Sequence, residues 1–413
     1  MHAPSPPSLS RAIAAALIGS LGASYAISQF SRNAVGVVAP DLARELGLAA
    51  AEIGLLSSLF FLTFAAAQIP LGIIIDRQGP KRVMLACFAL TILGTAVVSL
   101  APGYLWLLVG RALLGLGCSS FLIAPLVIYA REFPAERYSS LASLHLAIGN
   151  GGTICATAPL AFAAAALGWR GAYALVAIVA VICAALVLVL VGKDQIAPAR
   201  AGAAATRLRD VARAPSFWLL MGLQCTTYPT FAAIGGLWGG PWLADVYGYD
   251  LGRRGATLLI LVIAHIVGLF VWSALDRRLK SYKRPLLAAG ALVAATLAAG
   301  ALFTIPEALI PLWLACFGFG LGYAPLMMGH ARMLFPPETL GRGLTLLNAG
   351  NMAGAFAIQT ITGLIVGAFP RAPSGAYPAA AYAAVMGLLA VQLAAALLLY
   401  AKAPDAHPGR TAA

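Results

Sequence analysis

Apolar residues in this chain run in long, nearly unbroken stretches instead of alternating or falling into stripes. A soluble helix keeps a polar face for water, which interrupts such stretches. Here they recur from end to end. Each matches the ~20 residues a helix needs to cross a ~30 Å hydrocarbon core. Inside lipid every backbone group must bond within its own segment or around a closed barrel. Barrel strands are only about 10 residues long and alternate in polarity. The pattern therefore predicts membrane-spanning helices over 12–38, 53–75, 83–100, 105–130, 141–166, 172–192, 216–243, 255–275, 285–303, 309–331, 343–368 and 379–401. Twelve spans place both termini on one side.

Composition agrees: 10% of residues are charged and 61% hydrophobic, against roughly 25% charged in a soluble domain. The apolar run after Arg11 is about 27 residues long. That exceeds a cleavable signal core of 7–15 residues, so it is expected to be retained as the first span. Six cysteines (Cys87, Cys118, Cys155, Cys183, Cys225 and Cys316) fall inside apolar runs without metal-ligand spacing. They read as small buried hydrophobes, and no disulfide is expected.

The net charge of +13 would suit a nucleic-acid binder, but its distribution argues for a membrane. Twenty of the 27 Lys and Arg residues lie in the connections on the side of the termini, including Arg77, Lys81, Arg82, Arg131, Arg137, Arg277, Arg278, Lys280, Arg332 and Arg342. Only Arg44, Arg170, Arg253, Arg254 and Arg371 lie on the opposite side. Basic loops stay cytoplasmic, so both termini are expected in the cytoplasm of a bacterial inner membrane, with the basic excess facing anionic lipid. No nucleic-acid partner is expected. The connection 193–215, rich in Ala, Arg and Gly, reads as a linker between bundles 1–192 and 216–413.

The two halves repeat one another. Asp76-Arg77 recurs as Asp276-Arg277, and Ala124-Pro125-Leu126 as Ala324-Pro325-Leu326. Ala130-Arg131 and Phe133-Pro134 recur as Ala331-Arg332 and Phe335-Pro336. The offsets are 200 to 202. Such duplication is how transporters build one substrate site served by two rocking halves.

The stretch from Gly72 through Asp76-Arg77 and Gly79 to Lys81-Arg82 resembles the loop signature of the major facilitator superfamily, G-x-x-x-D-R-x-G-x-[RK]-[RK], at its position between spans two and three. Arg111-Ala-Leu-Leu-Gly115-Leu-Gly117 resembles a second motif of that family. The resemblance implies an all-α membrane protein of twelve helices in two pseudo-symmetric six-helix bundles. It also implies that Asp76 braces one access state against the turn at Arg342 and a basic residue, Arg131, near the end of span four. Gly72, Asp76, Arg77, Gly79, Arg82, Arg131, Asp276 and Arg277 are thus the expected conformational residues. In the second copy Trp272 stands where the glycine would be.

Charges inside spans are costly and default to function. Tyr25, Gln29 and Arg32 share one face of span one by i, i+4, i+7 spacing. Arg32, eight residues before Pro40, resembles the substrate arginine of the family's organophosphate and organic-anion branches. The alternative is an arginine snorkelling to headgroups. Span seven offers Gln224 and Tyr228 but no second cation, which favours a small monoanion such as a carboxylate. Asn351 and Gln359 share a face of span eleven, as cavity lining or as interhelical bonds. Arg111, His145 and His265 are coupling candidates or structural hydrogen-bonding groups. No Asp or Glu lies mid-span, unlike the usual proton-coupled drug exporter, so any coupling would use a histidine or the substrate's own proton; a proton or a counter-anion is the expected partner of the cycle.

The Met327, Met328, His330, Met333 cluster does not share one face, and no metal or cofactor is expected. Trp238, Trp242 and Trp313 read as interface anchors. No P-loop, dinucleotide fingerprint or nucleophile elbow occurs, so an enzyme is not expected. The expected function is alternating-access transport of a small organic anion by a monomer, the substrate binding near the midplane between the halves. The alternatives are efflux of drugs or neutral solutes, or a non-transporting sensor or assembly factor.

Overall fold

The computed structural model describes residues 11–192, 194, 215–335 and 337–405, without the side chains at 11, 69, 135, 136, 139, 215, 216, 276, 277, 337–342 and 345. Most of the linker 193–215 lies outside the described residues. Among those described there are helices and no strands. They are α1 (Arg11–Asn33), α2 (Val35–Leu46), α3 (Ala50–Gln78), α4 (Pro80–Ser99), α5 (Tyr104–Cys118), α6 (Ile123–Glu132), α7 (Ala135–Cys155) and α8 (Ala158–Leu190). After the linker come α9 (Pro215–Ala233), a π turn at Ile234–Trp238, α10 (Gly239–Tyr247), α11 (Leu251–Leu279), α12 (Lys283–Leu302), α13 (Ile310–Gly320), α14 (Ala324–Leu334), α15 (Pro337–Gly367) and α16 (Ala379–Tyr400).

Ten helical stretches among the described residues are long and apolar enough to cross a membrane. The fifth and seventh spans complete the twelve. Both carry many polar groups, among them Ser143, His145, Asn150 and Thr153 in α7 and Gln224, Thr226, Thr227 and Thr230 in α9. These groups lower the apolarity of helices whose polar faces are packed: His145, Thr153, Gln224, Thr227 and Thr230 are buried.

Several predicted single spans are broken. Span one turns at Ala34 between α1 and α2, and span seven passes through the π turn. Span four breaks between Cys118 and Ile123, and span ten passes through a short 3-10 turn at Leu321–Tyr323. These paired breaks fall about 200 residues apart, so the duplication extends to backbone irregularity. The latter two lie up to a turn before Pro125 and Pro325, which carry no N–H for the carbonyls of Phe121 and Leu321. Gly168 (φ 70°) separates span five from span six.

The described chain forms two compact units, 1–34 with 59–203 and 35–58 with 204–413. In the first, α1 packs on α5, α7 and α8, and α4 on α5 and α8. In the second, α9 packs on α15 and α16, and α11 on α13. Segment 35–58 belongs to the second unit, through α2 against the π turn, α10 and α11.

The tryptophans correct an expectation. Trp238, Trp242 and Trp313 are buried in the second unit instead of anchoring an interface. Trp238 Nε1 donates to Thr362 Oγ1 at 2.8 Å, and Trp313 Nε1 donates to the Thr296 carbonyl at 2.8 Å. The rings of Trp242 and Trp313 lie 5.2 Å apart. An indole whose N–H finds an acceptor can be buried, which anchoring does not require.

Gly152 of α7 lies against the backbone of α1, where an added Cβ would sit 2.7 Å from Ala26 Cα. Gly152→Leu should therefore separate α1 from α7. The expected outcome is an unfolding midpoint lowered by the equivalent of 1–3 kcal/mol or more, on the order of other overpacked cores. Thermal unfolding of the purified variant checks it.

Candidate functional site

The first unit holds two buried guanidiniums. Arg32, in the last turn of α1, is 6% exposed, and Arg111 of α5 is 1% exposed. Each lies on a phenyl ring of α3. Arg32 Cζ is 4.5 Å from the centroid of Phe64, and Arg111 Cζ is 5.0 Å from that of Phe60. Phe60 and Phe64 are one turn apart and stack at 6.0 Å. Arg111 Nη1 also donates to the Ser31 carbonyl at 2.6 Å. That carbonyl is near the C-terminus of α1, where helix acceptors lose their own donors. The spans holding these groups contain no Asp or Glu.

Around Arg32, acceptors and donors are left over. Arg32 Nε, Ser28 Oγ, Gln29 Oε1 and Asn33 Oδ1 are buried without a hydrogen-bond partner. Asn33 Nδ2 donates to the Gln29 carbonyl at 2.8 Å. Arg32 therefore does not snorkel; its head is buried against Phe64 of α3. A cation held over a desolvated ring gains about 2 kcal/mol. Taking the charge out of water costs several kcal/mol. The ring alone does not offset that, and an anion meeting the guanidinium would.

Tyr25, one face with Arg32 in the sequence, is buried and stacks on His145 at 5.2 Å. His145 Nε2 donates to the Phe121 carbonyl at 3.1 Å, and its Nδ1 accepts from Tyr129 Oη at 3.4 Å. His145 is thus a helix-joining group lying against the candidate face. The sequence reading missed Phe60, Phe64 and Gln68, whose Nε2 donates to the Ser119 carbonyl at 3.2 Å. Phenylalanines in an apolar run carry no signal of their own.

In the second unit, Gln224 and Asn351 are buried and Tyr228 is half-buried. Gln359 Nε2 donates to the Ala232 carbonyl at 3.0 Å, joining α15 to α9. Its Oε1 and the Oδ1 of Asn351 have no partner. His265 lies 4.8 Å from the Phe231 ring. His330 is bonded through both nitrogens, to Tyr400 Oη at 2.5 Å and the Pro404 carbonyl at 3.0 Å.

The loop between α3 and α4 is organised by a residue the motif does not contain. Asp194 accepts from the backbone N–H groups of Lys81 (3.1 Å) and Arg82 (2.9 Å), capping α4. Lys81 Nζ donates to the Val191 carbonyl at 2.6 Å. Gly79 (φ 87°) is buried beneath Asp194. Gly72, Asp76, Arg77, Arg82 and Arg131 are exposed. The expected partner turn of Asp76, at Arg342, and the side chains of Asp276 and Arg277 lie outside those described.

A model of the family described as the Major Facilitator Superfamily matches residues 21–328. The chain belongs to the Major Facilitator Superfamily. It is therefore a multi-pass membrane protein of a transporter family, which is generally non-enzymatic. Among its relatives, a probable sulfoacetate transporter of Cupriavidus necator is 31% identical over 38% of this chain and 36% of that one. The match thus spans about a third of that relative. The membrane sensor protein UhpC of Escherichia coli is 27% identical over 72% of each chain. A hexuronate transporter of Bacillus subtilis is 27% identical over 39% of this chain and 38% of that one. The fold matches an inward-facing, occupied bacterial homolog of the human lysosomal transporter Spinster, with TM-score 0.77, 16% identity, and 95% and 97% of the chains covered. It also matches a nucleoside transporter, NupG, with TM-score 0.71, 13% identity, and 92% and 99% covered.

Asp194→Ala should remove the cap of α4 and lower stability by about 1 kcal/mol. Asp76→Asn, at an exposed carboxylate, should change it by less than about 0.5 kcal/mol. Chemical or thermal unfolding of the two variants compares them.

Proposed function

We propose that this superfamily member is a secondary transporter of a small organic anion, working by alternating access between halves 1–192 and 216–413 joined by 193–215. It resides in the inner membrane with both termini in the cytoplasm, as its basic loops favour. Arg32 binds the anion, Tyr25 and Gln29 shape the same face, and a proton or counter-anion completes the cycle. Gln224, Tyr228 and Asn351 supply further polar contacts. The loop from Gly72 to Arg82, with Arg131, Asp276 and Arg277, controls the access state.

The observation that carries this reading is the Arg32 guanidinium, buried on Phe64 with Nε unbonded and no acidic residue in the spans around it. The names of relatives point the same way, because sulfoacetate and hexuronate are both anions. A second reading, an anion-responsive sensor, has its own support: the relative covering 72% of this chain is named a membrane sensor. Both readings need an anion at Arg32, and they differ in whether it crosses.

Proteoliposomes containing the purified chain should take up at least one small carboxylate from a labelled panel. Arg32→Ala should cut uptake about tenfold or more, since a hydrogen bond to a charged group contributes about 1.5–3 kcal/mol. Arg32→Lys, lacking the planar fork, should fall between. Anion uptake unchanged in both variants would remove the assignment, and specific binding without flux would select the sensor.

A further inference from the structure

Spans seven to twelve contain no Asp, Glu, Lys or Arg. That half of the membrane interior therefore has no fixed charge. Two histidines, His265 and His330, are its side chains able to become cationic. Ionisable groups within spans default to function, so what each ring is still free to bind separates them.

A neutral imidazole has one N–H donor and one bare acceptor nitrogen. In His330 both are taken, by Tyr400 Oη at 2.5 Å and the Pro404 carbonyl at 3.0 Å. His145, in the first half, is saturated in the same way by Tyr129 Oη and the Phe121 carbonyl. His265 is not. Its ring bonds the Gly318 carbonyl and lies 4.8 Å from the Phe231 ring. Its Nδ1 is buried without a partner, so the bond to Gly318 belongs to Nε2–H. Among the described histidines, His265 is the one with a ring nitrogen free to take a proton without breaking a bond. Gly318 brings α13 close to α11 there: a Cβ on it would sit 2.2 Å from the Leu261 carbonyl oxygen.

The surroundings of the ring hold no charge. α11 packs on α13, the 3-10 turn, α12, α10, α14, α2 and the π turn. Within spans, their titratable groups are Cys316 of α13, Tyr323 of the 3-10 turn, whose Oη bonds Thr227, and His330 of α14. The charged residues of these elements lie beyond the span ends: Asp41, Arg44 and Glu45 on α2, Asp245 on α10, Lys283 and Arg284 on α12, and Arg332 on α14. Phe231, which His265 touches, stacks on Tyr228 at 6.3 Å. Gln224, Tyr228 and Phe231 share one face of α9 by i, i+4, i+7 spacing. His265 thus adjoins the face that offers the second unit's polar contacts.

We propose that His265 is the coupling residue of the second half: Nδ1 takes a proton from water as an anion binds and returns it to water on the side where the anion leaves. Nε2–H stays on Gly318 throughout. One proton and one anion enter and one of each departs, so a monoanion moves without net charge. An imidazolium by itself there would be an uncompensated buried cation. An anion among the spans offsets that cost, because charges act over longer distances in a low dielectric than in water. By reciprocity the proton tightens the anion, so apparent anion affinity rises as pH falls. The inference rests on the transporter reading above and supplies the residue that reading leaves open.

The experiment is transport by the full chain in proteoliposomes, with protein-free liposomes as the blank and the membrane potential clamped at zero. The probes are labelled glucuronate and methanesulfonate, the second of which carries no proton of its own. For the probe that shows counterflow, an outside-acid gradient of about one pH unit should drive about tenfold accumulation by the native chain, the value for one proton per anion. Half-saturation should need less of it as pH falls. His265→Gln keeps an amide N–H for Gly318 but takes no proton. It should keep counterflow at saturating probe, lose the pH dependence and equilibrate without accumulation. A purely structural tie would be preserved by that amide, accumulation included. If His265→Gln does not fold, 15N NMR of the native chain labelled at histidine carries the test. The signal of a bare, unbonded ring nitrogen should be present without the probe and become that of a protonated one when the probe saturates. Accumulation at the native level in His265→Gln, counterflow without gradient-driven accumulation in the native chain, or a bare signal unmoved by the probe overturns the inference and leaves transport standing. No counterflow of either probe removes the transport reading and this inference with it.

Discussion

A guanidinium enclosed among membrane-spanning helices has to be held without a carboxylate, and the first unit is arranged around that constraint. Arg32 lies on Phe64 and Arg111 on Phe60, two rings one turn apart on α3. α1 ends at Asn33, and the Ser31 carbonyl accepts from Arg111. The Phe64 ring reduces the penalty of the buried Arg32 charge but falls short of several kcal/mol. The shortfall is what an arriving anion would recover, and it makes Arg32 a site in waiting instead of a finished structural pair. A neutral side chain of the same size would pack there more cheaply.

Broken helices provide the second organising feature. Spans one and seven, and spans four and ten, interrupt at matched positions. Non-helical backbone at membrane depth is tolerated only where protein or a water-filled cavity covers it. Three of these breaks lie beside polar groups: Arg32 and Asn33 at Ala34, Ser119 and Ser120 between α5 and α6, and Thr227 bonded at 2.8 Å to the Oη of Tyr323 in the 3-10 turn. The duplication is therefore visible in the positions of the helix breaks as well as in the signature residues.

The spans, the repeat and the family were legible because each rests on local pattern: run length, a fixed offset, a loop motif. The face of Tyr25, Gln29 and Arg32 was legible from helical spacing. What was not legible depended on contacts distant in sequence. Asp194 caps α4 from 113 positions away, and nothing near it signals that role. Asp41 and Arg254 read as ordinary loop-end charges until the fold brings them to 2.9 Å. Trp238, Trp242 and Trp313 lie near span ends, where anchoring is the usual role, but their N–H groups or rings found partners inside. Span breaks were hidden because apolarity continues through them.

The claim that Arg32 is an anion site is tested most directly by ligand-dependent unfolding of the purified chain, since a ligand that binds the folded state stabilises it in proportion to its affinity. Small carboxylates and sulfonates should raise the midpoint of the native chain, while neutral drugs and divalent metals should not. The same anions should leave an Arg32→Gln chain, itself folded, unmoved. Stabilisation by anions that persists undiminished in Arg32→Gln, or stabilisation of the native chain by neutral compounds alone, would contradict the account.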